Sequence, residues 1–175
     1  MAENAWYYDA VKYAYNEELF QGTSNTTFAP ENTMTRAMLV TVLYRLASEP
    51  EVTGTTAFTD LKAGEYYCNA VLWAMQNGIT EGVDETHFAP NKAVTREQMV
   101  TFLYRYAELT GMDVTAKADI TTYADHAKVG TYAADAMAWA VASGLIKGMG
   151  NNTLAPRGTA IRAQVAMVLY RFLTK

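Results

Sequence analysis

The sequence predicts an all-α fold made of three tandem copies of one two-helix unit, and three observations predict it. A patterned stretch, Met34-Thr35-Arg36-Ala37-Met38-Leu39, returns as Val94-Thr95-Arg96-Glu97-Gln98-Met99 and as Ala160-Ile161-Arg162-Ala163-Gln164-Val165. Each copy follows a triplet at the same distance: Phe28-Ala29-Pro30, Phe88-Ala89-Pro90 and Leu154-Ala155-Pro156. The apolar residues on either side recur at helical spacing. Self-similarity at a fixed period of this size marks a repeat array, whose core is assembled from small stacked units.

The register is tight. Residues 5–47 match 65–107 without a gap, 60 positions on, so that Tyr7, Ala10, Val11, Ala14, Gly22, Phe28 and Arg36 return as Tyr67, Ala70, Val71, Ala74, Gly82, Phe88 and Arg96. The third copy lies a further 66 positions on, with Ala136, Trp139, Gly144, Gly148, Pro156, Arg162 and Arg171 in register. The expected units are 1–50, 51–112 and 113–175, forming one compact body.

Each unit opens with a helix of about three turns. Its small apolar residues fall at i, i+1, i+4 and i+5, as in Ala70, Val71, Ala74 and Met75. Gly78 and Gly144 are placed to end the later copies, because glycine takes a positive φ cheaply, whereas Glu18 stands there in the first. A polar connector follows and is pinned to the core by Phe28, Phe88 or Leu154. The second helix begins after Thr35 and Thr95, whose hydroxyls suit an N-cap, and Gln98 completes a capping box; Ile161 cannot cap. Its stripe runs Leu39, Val42, Leu43, Leu46, then Met99, Phe102, Leu103, Tyr106, then Val165, Val168, Leu169, Phe172. Val40, Val100 and Ala166 widen it, so the second helices are expected to meet near a shared axis.

Composition bounds the function. Half of the 175 residues are apolar and 18% are charged, which suits an ordered globular chain. A net charge of −4 offers no general attraction to nucleic acid or to an acidic membrane. A lone Cys68 rules out an internal disulfide and a cysteine-based zinc site. Asp84, Glu85 and His87 are not matched by metal ligands in the loops Ser24-Asn25-Thr26 and Gly150-Asn151-Asn152, so no metal is expected. The start, Met1-Ala2-Glu3-Asn4, has no signal-like segment, and no run approaches transmembrane length. Phe58-Thr59-Asp60 and Tyr123-Ala124-Asp125 lead into units two and three, while the partners of Phe58 and Asp60 in unit one would precede Met1. The chain therefore reads as a fragment of a larger protein.

These features together, the aromatic-x-aspartate start, the tryptophan in the first helix, the glycine turn, Phe-x-Pro and Thr-Arg at a helix start, resemble the S-layer homology domain. The resemblance covers essentially the whole chain. It implies a pseudo-threefold spindle around a central bundle of the second helices, with no enzymatic activity and no cofactor. The function it implies is anchoring of a bacterial surface protein to the cell wall, at the cell surface or S-layer. The implied partner is a secondary cell wall polysaccharide carrying pyruvate ketals, with no nucleic acid and no membrane insertion. Carried over by position, the implied ligand residues are Arg36, Arg96 and Arg162, with Thr35 and Thr95, Gly82 and Gly148, and Trp73 and Trp139.

The chemistry is coherent. A ketal carboxylate suits the free amides at a helix start, and a planar guanidinium can bind both its oxygens at about 1.5–3 kcal/mol per charge-assisted bond. Departures predict unequal sites: Glu97 stands where the motif has a small residue, Ile161 removes a cap, and unit one lacks its leading segment. Simpler structural roles compete. The arginines can be inter-repeat salt bridges, and the tryptophans and nine methionines can be core. Arg45, Arg105 and Arg171 can complement helix ends, and Asp60 and Asp125 can cap or turn. Two other functions compete: a wall glycosidase, for which consistently paired carboxylates are lacking, and a helical scaffold for protein partners.

Overall fold

A computed structural model of the chain describes residues 3–24 and 26–174. Met1, Ala2, Asn25 and Lys175 lie outside the described residues, and with them part of the chain start and of the first connector read above. Among the described residues there are six α-helices and no β-strand: α1 (Tyr8–Asn16), α2 (Arg36–Leu46), α3 (Cys68–Gln76), α4 (Arg96–Leu109), α5 (Ala134–Ala142) and α6 (Arg162–Leu173). The fold is all-α, as the periodicity predicts.

The helices do not pair as hairpins within a unit. The principal contacts put α1 on α6, α2 on α3 and α4 on α5, with α2 also against α4. Each first helix thus packs on a second helix of a different unit, and α1 on α6 joins the two ends of the chain. Alanines make this close packing possible: Ala10, Ala14, Ala70, Ala74, Ala136 and Ala140 are all buried. Val40, Val100 and Ala166 are also fully buried, which accounts for the broad apolar stripe of the second helices.

Three short segments ahead of the second helices close a ring. The Met34 amide donates to the Ala160 carbonyl, Ala160 to Val94 and Val94 to Met34, each at 2.9 Å. All three residues are buried, so each unit satisfies a core backbone group of the next. The first helices end as expected, with Gly78 at φ 69° and Gly144 at φ 63°. The amides of Leu19, Ile79 and Leu145 then bond back to Ala14, Ala74 and Ala140. Glu18 takes the same left-handed conformation, at φ 55°, without glycine's freedom.

Candidate functional site

The arginine-headed helix starts are built by two units at a time. Thr35 accepts from the Met38 amide and Thr95 from Gln98, whose own side chain accepts from the Thr95 amide. Gln164 likewise accepts from the Ile161 amide, but isoleucine has no oxygen to complete the cap. The first two helical amides are already partnered. Those of Arg36 and Ala37 donate to the Lys92 and Pro90 carbonyls, those of Arg96 and Glu97 to Gly158 and Pro156, and those of Arg162 and Ala163 to Asn32 and Pro30. The expectation that free helix-start amides receive an anion is therefore corrected: connector carbonyls of a neighbouring unit use them.

The arginine side chains follow the same path. Their exposures are 2% for Arg36, 6% for Arg96 and 5% for Arg162. Each Nε donates to the carbonyl that precedes the Ala-Pro of another unit: Arg36 to Phe88 at 2.8 Å, Arg96 to Leu154 at 2.9 Å and Arg162 to Phe28 at 2.9 Å. They are cross-unit clamps on backbone carbonyls and not the salt bridges of the simpler reading. Rings add to the hold on two of them. Arg36 lies 4.7 Å from the Phe88 centroid and 5.2 Å from Phe102, and Arg162 lies 4.6 Å from Phe28 and 5.3 Å from Phe20.

The three clamps differ at Nη2. That of Arg96 donates to the Lys147 carbonyl at 3.2 Å and that of Arg162 to Gln21 at 2.8 Å. In Arg36 it is buried without a partner. Burial pulls the Arg36 guanidinium down to about 10, against the pull of Tyr132 and Asp60, and lowers Arg96 and Arg162 as well. All three stay cationic at neutral pH. No Nη1 of the three donates to a described residue.

Two grooves in identical register lie beside Arg162 and Arg36. The first, of about 230 Å³, is lined by Gly22, Met38, Arg45 and Tyr66 together with Arg162. The second, of about 370 Å³, is lined by Gly82, Gln98, Arg105 and Tyr132 together with Arg36. Every groove thus draws on all three units. Arg45 and Arg105 hold the Leu19 and Ile79 carbonyls at 3.2 and 3.3 Å, while keeping part of their surface in the groove. Arg105 also pairs with Glu81 at 3.3 Å. Tyr66 and Tyr132 are exposed at the rims, and Trp6 is their counterpart by register.

The predicted site residues are thus only partly brought together. Gly82, at φ 86°, lines the Arg36 groove, and its bare Cα admits the Phe58 ring, which would stand 2.6 Å from a Cβ there. A Cβ at Gly148 would stand 2.9 Å from the Tyr123 ring. Trp73 and Trp139, assigned to the ligand by resemblance, are 4% and 3% exposed. Their rings pack on Tyr44 and Tyr104, each at 5.5 Å, so they are core and have no open face for a sugar. The rim aromatics Tyr66 and Tyr132 and the groove arginines Arg45 and Arg105 were not singled out as ligand residues. Their signal is in the register: Tyr66 returns 66 positions on as Tyr132, and Arg45 returns as Arg105 and Arg171.

Glu97 does not stand free. Its carboxylate accepts from the Gly130 amide at 2.9 Å and is buried. Partial desolvation of the hydroxyl, on a residue that is otherwise 53% exposed, and the Glu97 charge push Tyr132 up to about 12. The sequence leads one to expect caps or turns at Asp60 and Asp125, but their carboxylates instead tie down amides 28 to 30 residues further on. Asp60 accepts from the Phe88 and Ala89 amides at 2.9 and 2.7 Å, and Asp125 from Leu154 and Ala155 at 2.7 and 2.8 Å.

An all-α array whose units jointly build guanidinium-and-aromatic grooves defines the class to which this chain belongs. The sequence profile of the S-layer homology domain matches residues 1–37, 57–100 and 122–166. The chain is a member of the S-layer homology domain family.

Its relatives include a surface-layer 125 kDa protein of Lysinibacillus sphaericus, 35% identical over 93% of this chain and 14% of the relative. An amylopullulanase of Thermoanaerobacterium thermosulfurigenes is 31% identical over 97% of this chain and 9% of its own length. A cellulosome-anchoring protein of Acetivibrio thermocellus is 26% identical over 89% and 35%. The chain thus spans a small part of these relatives. Surface anchoring is the property their shared domain supports, and no helix among the described residues is long and apolar enough to cross a membrane.

Proposed function

We infer that this chain anchors a larger bacterial surface protein by binding an anionic, pyruvylated secondary cell wall polysaccharide in its inter-unit grooves. It does so without catalysis. The observation that carries this reading is the repetition of one groove chemistry on two faces: a clamped guanidinium with a free Nη1, a second arginine and an exposed aromatic rim. A carboxylate is held by the guanidinium nitrogens that the fold leaves free, and a sugar ring stacks on the rim. The Arg36 groove differs in that Lys92 also lines it, while the Nη2 of Arg36 is buried without a partner behind it. The third set by register is Arg96, Arg171 and Trp6. Multiple sites on one rigid body raise avidity for a repeating polymer.

The test uses rim residues, because the clamped arginines also hold the fold. Two double variants, Tyr66→Ala with Tyr132→Ala and Arg45→Gln with Arg105→Gln, are sedimented with purified cell wall after circular dichroism has verified their helices. Binding is expected to weaken roughly tenfold or more, the loss of two aromatic faces at about 0.5–1.5 kcal/mol each. Both variants sedimenting like the parent would overturn the groove assignment. Binding abolished by protease treatment of the wall would favour a protein scaffold instead.

A further inference from the structure

The three rim aromatics are held in two different ways. In units one and two each packs edge-on against the tyrosine that follows it, Trp6 on Tyr7 and Tyr66 on Tyr67, both with ring centroids 5.2 Å apart. Unit three has the fully buried Ala133 where those tyrosines stand, so Tyr132 lacks that support.

A second departure from the repeat replaces it. Ala37 and Ala163 stand where α4 has Glu97. The Glu97 carboxylate is buried and accepts from the Gly130 amide, while the Tyr132 ring covers the bare Cα of Gly130. A Cβ on Gly130 would stand 2.6 Å from that ring and 3.5 Å from the carboxylate, so all three groups close on one point. Gly130 has an ordinary φ of −63°, and it is the space, not the backbone, that calls for glycine there. The matching Gly64 turns left-handed at φ 82°, with nothing within 4 Å of where its Cβ would be. The same carboxylate also bears on the Tyr132 hydroxyl. In unit three an anchored carboxylate stands in for a ring.

We infer that Glu97 is a positioning residue, which holds the Tyr132 ring at the rim of the Arg36 groove by fixing residues 130–132 to the start of α4. The role rests on the reading that this groove binds wall polysaccharide. Glu97 acts there in two opposed ways. Its acceptor sets the rim before the ligand arrives, which spares the affinity lost in ordering a free ring. Its charge works against an anionic ligand beside Arg36.

The test compares Glu97→Ala with Glu97→Gln, which lose the same charge and differ in whether an acceptor still meets the Gly130 amide. Both are made in a chain carrying Trp6→Ala and Tyr66→Ala, so that sedimentation with purified, protein-free cell wall reads the Arg36 groove. Glu97→Ala is expected to bind roughly threefold to tenfold more weakly than Glu97→Gln, up to the loss of one aromatic face. The same exchange in a chain that also carries Tyr132→Ala should change nothing, because Glu97 acts through that ring. Gly130→Ala is a version with Glu97 intact: alanine suits the φ, its Cβ displaces the ring, and binding should fall as in Glu97→Ala. Ring placement is read without ligand, from tyrosine side-chain NMR signals and from Gly130 amide exchange. That exchange should be roughly tenfold or more faster in Glu97→Ala than in Glu97→Gln. Three outcomes would overturn the role of Glu97: equal binding by the two variants while Tyr132→Ala binds more weakly, a difference between them that persists without Tyr132, or ring signals and Gly130 exchange untouched by Glu97→Ala. Wall binding unaffected by Tyr132→Ala would instead overturn the groove reading, and this role with it.

Discussion

At Arg36, Arg96 and Arg162 the guanidinium does what lysine cannot do, because Nε reaches a carbonyl while Nη1 donates to no described residue. Arg36→Lys removes that bond and the stacking on Phe88 and Phe102, leaving a buried carbonyl unpaired. It should lower stability by roughly 2–4 kcal/mol, read from the urea midpoint at unchanged slope. The sequence placed these arginines correctly at helix starts. It did not give their partners, which lie 52, 58 and 134 residues away. Tyr132 supplies a second residue-scale prediction. Its hydroxyl is raised to about 12, first by partial desolvation and then by Glu97. A raised folded value means that its stabilising contribution is complete below its ordinary value near 10 and is lost as pH rises through about 12. The difference in phenolate absorbance between the parent and Tyr132→Phe should therefore titrate near pH 12, and Glu97→Gln should move it lower. A difference that titrates near 10 in both would remove the Glu97 contact.

For the secondary elements, periodicity and caps were almost fully legible. Thr35 and Thr95 cap, Ile161 does not, and Gly78 and Gly144 end their helices with positive φ. Such signals are local, so the amino acids that cause them lie within a turn of their effect. Glu18 is the instructive exception: tertiary context holds a non-glycine residue at φ 55° because the unit needs that turn. Glu18→Gly should raise stability by roughly 0.5–1 kcal/mol, since the left-handed penalty exceeds glycine's extra chain entropy. A thermal midpoint that stays level or falls would show that the turn is not strained there. Trp73 and Trp139 mark the opposite case. A tryptophan on a helix looks the same in sequence whether it faces a sugar or a core, and here the partner helices bury it.

Across the whole molecule, the repeat register was legible and the helix pairing was not. Units bounded at 50 and 112 follow from sequence similarity, yet α1 lies on α6, α2 on α3 and α4 on α5. A unit cut at those boundaries loses the surface that its own helices bury. The segment 1–50 alone should therefore show little helix by circular dichroism, because isolated helices of α1 and α2 length are marginal in water. The intact chain should melt in one transition whose calorimetric and van't Hoff enthalpies agree. A stably helical 1–50, or three resolved transitions, would show the units to be independent.

By itself, the sequence determined that this protein is helical, threefold repeated, arginine-headed at each second helix and similar throughout to the S-layer homology domain. Those properties are written in local spacing and internal register. Only the tertiary structure decided that helix-start amides are taken by a neighbouring unit, that Arg36, Arg96 and Arg162 clamp backbone carbonyls, and that Tyr66 and Tyr132 form the groove rims. The physical reason is that each of these depends on contacts between units. A closed ring of three hydrogen-bonded segments sets which surfaces meet, and no spacing within one unit encodes it.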